Sequence, residues 1–399
     1  HKIRVLLDAI INHIGPVTEQ DPVWPESWVR TGPQCSYTGY ESTVTCTLVE
    51  NLPDIKTESD EDVELPPFLV EKWKAEGRYE QELAELDAFF KRTGYAKAPK
   101  YYIIKWLSDY VRKLGVDGFR FDTVKHVEEE IFGEMKKEML LAFKDWKTTN
   151  PDAILDNNEF FMVGEVYGYG IGGKNIYDFG DKKVDYYANG FNSLINFQFL
   201  HDAKRNSYDS LFSAYASHLA SPEMKGNSVL NYLSSHDDGG PYDPQRQKPM
   251  EAANKLLLSP GASQVYYGDE TSRSLVIEGT EGDATLRSFM NWKDLEINTV
   301  INGFAVKDVL AHWQKLGKFR RNHPAIGAGQ HSMISQSPYL FKRSYNSATY
   351  AETVVVGLEL PKGAKELDLK GAFADGTMLL DTYSGKEAKV EAGKVKIDS

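Results

Sequence analysis

The chain reads as an α/β fold followed by a small all-β module, and three patterns predict it. Short continuous apolar runs recur, each ending in a polar, charged cluster. Helical periodicities fill the intervals between them. After His323-Pro324 the pattern changes to short alternating strands separated by turns.

The apolar runs are Ile3–Leu7 ending at Asp8, Val116–Phe121 ending at Asp122, Phe160–Val163 ending at Glu165, and Val229–Leu233 ending at His236 and Asp237. Phe191–Phe199 and Ala262–Tyr267 are two more. Runs this short and uniformly apolar suit strands buried on both faces, as in a parallel sheet. Ile103, Leu107, Tyr110, Val111 and Leu114 recur at helical spacing and stop at Gly115; Phe132, Met135, Met139, Phe143 and Trp146 recur likewise. Lys255–Leu258 belongs to a shorter helix ending at Pro260-Gly261. The alternation fits either an α/β barrel or a doubly wound sheet.

Two stretches interrupt it. Residues 14 to about 52 are rich in Pro, Gly and Thr and read as an irregular excursion. Residues 56–99 begin acidic and then turn helical through Leu83, Leu86, Phe89 and Phe90, stopped by Gly94. Beyond 325, Tyr339–Lys342 and Thr353–Leu360 read as strands, with turns at Lys362-Gly363 and Ser384-Gly385. The implied division is a catalytic part (1–13 and 100–325), an excursion domain (14–99) and a C-terminal β domain (326–399).

Composition narrows the function. With 399 residues there is length for two or three domains at about 100–200 residues each. Hydrophobic residues at 41% exclude a disordered or collagenous chain. No run of 18 apolar residues exists, so no membrane-spanning helix is expected. The 46 Lys and Arg against 58 Asp and Glu leave a net charge of −12, which repels phosphate backbones and argues against a nucleic-acid partner. The 22 Tyr and 7 Trp can fill a core or provide flat faces for a sugar. Cys35 and Cys46, with ten residues between them, read as a disulfide closing a short loop, which implies an oxidising compartment; the alternative is two unrelated thiols. The run from His1 reads as a strand already in progress, with the true start upstream.

Polar clusters at strand ends are where barrel enzymes keep their active sites. Here they hold Asp8, Asn12 and His13; Arg120, Asp122, Lys125 and His126; Glu165; and His236 with Asp237. Carboxylates meeting around one sugar suit glycosidic-bond hydrolysis, which uses one as nucleophile and one as proton donor.

Six motifs in chain order make the resemblance specific. Asp8-Ala-Ile-Ile-Asn12-His13, Gly118-Phe-Arg120-Phe-Asp122-Thr-Val-Lys125-His126, Gly164-Glu165-Val166 and Ser235-His236-Asp237 resemble the four signatures of the α-amylase family of glycoside hydrolases. Leu52-Pro53-Asp54 is similar to its fifth, and Tyr266-Tyr267-Gly268-Asp269-Glu270 to its last barrel strand. The resemblance covers residues 1 to about 325. It implies a (β/α)8 TIM barrel entered at the third strand, an excursion after that strand and a C-terminal antiparallel β-sandwich. In the family two strands and a sugar-stacking aromatic precede the first signature, so a preceding segment or a separate piece is expected.

The same resemblance implies roles. Asp122 is the nucleophile, Glu165 the acid/base and Asp237 the transition-state stabiliser, with His13, Arg120, Lys125, His126 and His236 as substrate-binding groups and Asp8 as a buried supporting carboxylate. Lys125-His126 and Leu-Pro-Asp accompany endo-acting, retaining α-1,4-glucan hydrolysis. A maltogenic or cyclodextrin-degrading hydrolase or a glucanotransferase shares the scaffold; a non-catalytic glucan-binding protein would be expected to lack a carboxylate. Ca²⁺ is implied at Asn12, Asp54 and the main-chain carbonyl of His126, with a further acidic ligand unplaced. A secreted or periplasmic monomer acting on α-glucan is the expectation.

Overall fold

The computed structural model describes residues 3–15, 17–49 and 51–398. His1, where a strand was expected to be in progress, lies outside them. The chain forms two compact units, one of residues 1–169 and 175–195 and the other of 170–174 and 196–399.

The first unit is built on parallel strands β1 (Leu6–Ala9), β2 (Gly118–Phe121) and β3 (Phe161–Gly164), with β4 (Ser193–Asn196) pairing along β3 through Ser193 and Leu194. Each begins or ends within a few residues of its apolar run. The Phe191–Phe199 run divides: its middle is β4, and Phe199 starts a separate helix, Phe199–Arg205.

Helix α1 (Pro67–Ala75) and α2 (Tyr79–Thr93) fill the insertion, and α3 (Pro99–Leu114) leads into β2. Of the two helices in the insertion, only α2 showed an apolar periodicity in the sequence. Gly94 and Gly115 close α2 and α3 in the left-handed conformation, φ 72° and 66°. Gly115 is required twice over, because a Cβ there would lie 2.0 Å from the Trp146 ring. The buried stripe of α3 runs through Tyr102, Ile104, Ser108 and Val111, whereas Tyr110 and Leu114, expected on the apolar face, are exposed. Helix α4 (Glu129–Thr149) buries Phe132, Met135, Met139 and Phe143. Phe132 packs on Phe121 of β2 at 5.5 Å, and Phe143 on Phe160 beside β3 at 6.0 Å. These contacts seat the helix on the sheet.

The excursion is tied to itself by the Cys35–Cys46 disulfide. Val29–Arg30 pairs antiparallel with Asp54–Ile55, and His13 bridges to Asp54, so the end of the first signature and the fifth meet.

In the second unit, β5 (Ser228–Tyr232) and β6 (Ala262–Gln264) pair in parallel, with α5 (Pro249–Leu257) between them in sequence. The long helix α6 (Val306–Asn322) precedes two antiparallel sheets, one of β7 (Gln330–Gln336), β8 (Tyr339–Asn346) and β9 (Ala351–Leu358). The other has the order β10 (Ala364–Asp368), β13 (Lys394–Asp398), β12 (Lys386–Glu391) and β11 (Met378–Asp381). Val355 of the first packs against Leu369, Val390 and Val395 of the second.

Candidate active site

Parallel register assembles the acidic cluster of the first unit. Asp8 of β1 is opposite Arg120 of β2, and Phe121 is opposite Gly164. Asp122 and Glu165 therefore each lie one residue past the end of their strand, side by side. The main chain continues the pairing there: Asp122 N–H donates to Ala9 C=O at 3.0 Å and Glu165 N–H to Phe121 C=O at 2.9 Å. Arg120 and Asp122, two apart, share a face.

One guanidinium organises the cluster. Arg120 Nη1 donates to Asp8 at 2.8 Å and to Asp122 at 2.5 Å, and Nη2 donates to Glu165 Oε2 at 2.7 Å. Thr123 N–H adds a 3.3 Å bond to the same Glu165 oxygen. The Asp122 and Glu165 carboxylates approach within 4.8 Å. Their side chains retain 18% and 12% exposure, enough to meet a ligand but far from bulk hydration. Asp8 departs from its expected burial: its side chain is 51% exposed, because β1 has a neighbour only on the β2 side among the described residues.

The two carboxyls are pushed apart in acidity. Burial raises Glu165, and its hydrogen bond with Asp122 raises it further, against the pull of Arg120. Burial also works to raise Asp122, but the hydrogen bond with Glu165 and the Arg120 charge outweigh it and hold Asp122 below the usual range. One proton held by Glu165 beside an anionic Asp122 sets a proton donor next to an anion.

The flanking groups sort as follows. Burial lowers His13, which the Asp122 charge opposes. Lys125, also lowered by burial, lies over the rings of Tyr167 and Tyr177 at 5.1 and 5.9 Å. The His126 ring, expected on a sugar, has protein partners of its own. It is buried, with Nδ1 at 3.0 Å from Thr43 C=O and its edge against Tyr37. The turn after β2 carries it into the excursion, where burial lowers its pKa to about 4.

The three groups expected to hold Ca²⁺ meet. Asn12 Nδ2 donates to Asp54 Oδ1 and to His126 C=O, both at 3.0 Å. Arg30, missed in the sequence, donates through Nε and Nη2 to Asp54 Oδ2 at 3.3 Å and pairs with Glu58 at 2.6 Å. Asp54 is fully buried, and burial drives its carboxyl to about 7 in spite of Arg30. A carboxylate still short of positive charge, beside a carbonyl and an amide whose oxygen replaces its nitrogen by rotation, fits a hard cation.

In the second unit, Asp237 follows β5 by five residues. Its Oδ2 meets His236 Nε2 at 2.8 Å and its Oδ1 accepts from Arg287 Nη2 at 2.6 Å. Burial opposes, but His236 and Arg287 together hold Asp237 below the usual range. Arg287 belongs to no motif; only the structure reveals it.

No family profile matches the chain. It is 36% identical over 336 residues to a periplasmic alpha-amylase of Escherichia coli, covering 82% of this chain and 43% of that protein. A cyclomaltodextrin glucanotransferase of Thermoanaerobacterium thermosulfurigenes is 24% identical over 356 residues, 87% of this chain and 42% of that protein. The chain thus spans less than half the length of these relatives. Among solved structures, an alpha-amylase from Geobacillus thermoleovorans aligns with TM-score 0.63 and 16% identity over 99% of this chain and 74% of that one. An Anoxybacillus alpha-amylase aligns with TM-score 0.60 and 19% identity, covering 99% and 73%. These structural likenesses share the fold.

Proposed function

Since this chain belongs to the α-amylase family of glycoside hydrolases, we propose that it cleaves α-1,4-glucosidic bonds within starch, glycogen and maltooligosaccharides by a retaining double displacement. The observation that supports this reading above all is the Arg120-centred pair, an anionic Asp122 beside a Glu165 whose proton is held to higher pH. In the first step an Asp122 oxygen bonds to the anomeric carbon while Glu165 gives its proton to the departing glycosidic oxygen. In the second, Glu165 takes a proton from water, whose oxygen displaces Asp122. The approach of the two carboxylates to within 4.8 Å suits direct attack and leaves little room for a water between them. Asp237 is assigned to the hydroxyls beside the reacting carbon, with His13, His236, Lys125 and His126 on the sugars.

Asp54, Asn12 through its amide oxygen and the His126 carbonyl are the groups that would hold Ca²⁺. When bound, the ion would supply fixed positive charge at the joint between the first strand and the excursion. The three-part division read from the sequence, with the C-terminal sheets as a sandwich, belongs to the same reading. So does a secreted or periplasmic location, which the Cys35–Cys46 disulfide favours; no helix among the described residues is long and apolar enough to cross a membrane.

A second reading, transfer of the glucosyl ester to a sugar hydroxyl, is favoured by the likeness to the glucanotransferase over 87% of this chain. Incubation with soluble starch separates the two. Endo-hydrolysis lowers viscosity early and releases α-anomeric reducing ends, whereas transfer yields new glucans with few reducing ends. Glu165→Gln and Asp122→Asn should each lower turnover by about 10²–10⁴-fold or more with the melting curve unchanged. Near-normal turnover in either would sink the assignment.

A further inference from the structure

Resting on the reading that Asp237 contacts sugar, we propose that the segment Ser274–Asn291 is a glucan-positioning loop and that Phe289 is its stacking platform for a second glucose ring. The loop is anchored through Leu286, Ser288 and Asn291. Arg273, itself buried, donates through Nη1 to the carbonyls of Leu286 and Ser288 at 3.2 and 3.1 Å and to Ser288 Oγ at 2.5 Å. Tyr266 and Tyr267 hydroxyls donate to the same two carbonyls at 2.9 and 2.8 Å. Leu275 and Leu286 bury against Tyr266. On the far side, Asn291 Nδ2 donates to Thr271 C=O at 2.9 Å, and its Oδ1 accepts from Thr271 Oγ1 at 2.8 Å.

Between these anchors the chain presents two side chains outward. Arg287 donates through Nη2 to Asp237 and through Nε to His236 C=O at 3.1 Å, which fixes the loop beside Asp237. Two residues on, within about 7 Å of chain, stands Phe289 at 97% exposure. A phenyl ring held in water by a pinned backbone exposes apolar area that folding usually removes. The occupant that suits it is the apolar face of a pyranose ring. A linear α-glucan held at Asp237 supplies one, and an uncharged ring suits an acidic molecule. Arg287 is then a positioning residue, and Phe289 sets preference for longer chains.

Maltoheptaose is the probe. Phe289→Ala should raise KM about tenfold and more than it lowers kcat, should affect maltotriose less, and should melt as the parent does. Phe289→Trp should restore affinity, and Met378→Ala, exposed in a C-terminal strand, should change nothing. Calorimetric binding in the Glu165→Gln background should weaken about tenfold on adding Phe289→Ala. Equal KM and equal binding with and without the ring would overturn the proposal, as would no binding of maltoheptaose to the parent. A parent that binds maltoheptaose ring-dependently yet cleaves no starch would sink the hydrolytic reading and leave the platform standing.

Discussion

Arg120 and Arg30 each hold carboxylates in the same unit, but Arg120 holds only partly exposed ones, whereas Arg30 holds one that is fully buried. Arg120 spans Asp8, Asp122 and Glu165 at strand ends, and its partners keep some exposure. Arg30 joins Asp54 and Glu58 where the excursion folds back, and both oxygens of the fully buried Asp54 are used internally, one by Asn12 and one by Arg30. The chemistry of an arginine–carboxylate group is therefore set by which acceptor positions remain open. At Arg120 the carboxylates keep some exposure and, on the proposed reading, meet the reacting atom. At Arg30 the buried Asp54 joins two parts of the chain, and on the same reading its remaining acceptor capacity goes to a cation.

The comparison can be broken first at Arg120. On the proposed reading, Arg120→Met should lower kcat by about 10²–10³-fold, comparable to losing a donor that stabilises a developing charge. Its melting temperature should also fall, because Asp122 and Glu165 lose their counter-charge where little water reaches them. A variant that loses folding and not turnover would make Arg120 a structural residue like Arg30. The second break is Asp54→Ala, which leaves the buried Asn12 amide short of an acceptor and Arg30 paired with Glu58 alone. It should cost about 1–3 kcal/mol of stability, read as a fall in Tm, with kcat of the folded fraction far less affected than at Arg120. A chelator should lower the parent's Tm by mass action if the joint holds an ion, and should leave the Asp54→Ala melt unmoved. Equal chelator sensitivity in both proteins would remove the ion from this place.

The asymmetry explains what could be read in advance. Strand ends carrying Asp122 and Glu165 announced themselves because short apolar runs must be buried and stop where polarity returns. Gly94 and Gly115 were legible as helix stops because only glycine closes a helix cheaply in the left-handed region. The Asn12–Asp54–His126 meeting followed from motifs alone. Arg30, Arg273, Arg287 and Phe289 were not legible. The three arginines act through partners up to 51 residues away, and no local periodicity encodes such a pairing; an exposed Phe289 belongs to no apolar pattern. The burial of Asp8 was misjudged because burial depends on neighbours across the sheet. Helix α1 was missed since its nine residues bury only Trp73.

The pH profile sharpens the comparison last and with the gentlest effect. On the proposed mechanism Glu165 carries a proton and Asp122 does not. Burial and the hydrogen bond with Asp122 raise Glu165, so activity should persist above the ordinary carboxyl range before falling. Asp122 sits below its ordinary value, so the acid limb should lie below that range. The groups facing the pair are Arg120 from the same strand, His13 from the first signature, and Lys125 and the Thr123 N–H from the turn after β2. Both limbs belong to the pair jointly, since one proton is shared across it. Arg120 is the strongest cation on both, so residual activity in Arg120→Met should show its acid limb moved to higher pH, where the parent's is flat. The Asp54→Ala protein should keep both limbs in place, because its carboxylate never faces the reacting atoms. A limb that moves with Asp54 and not with Arg120 would reverse the roles given to the two arginines.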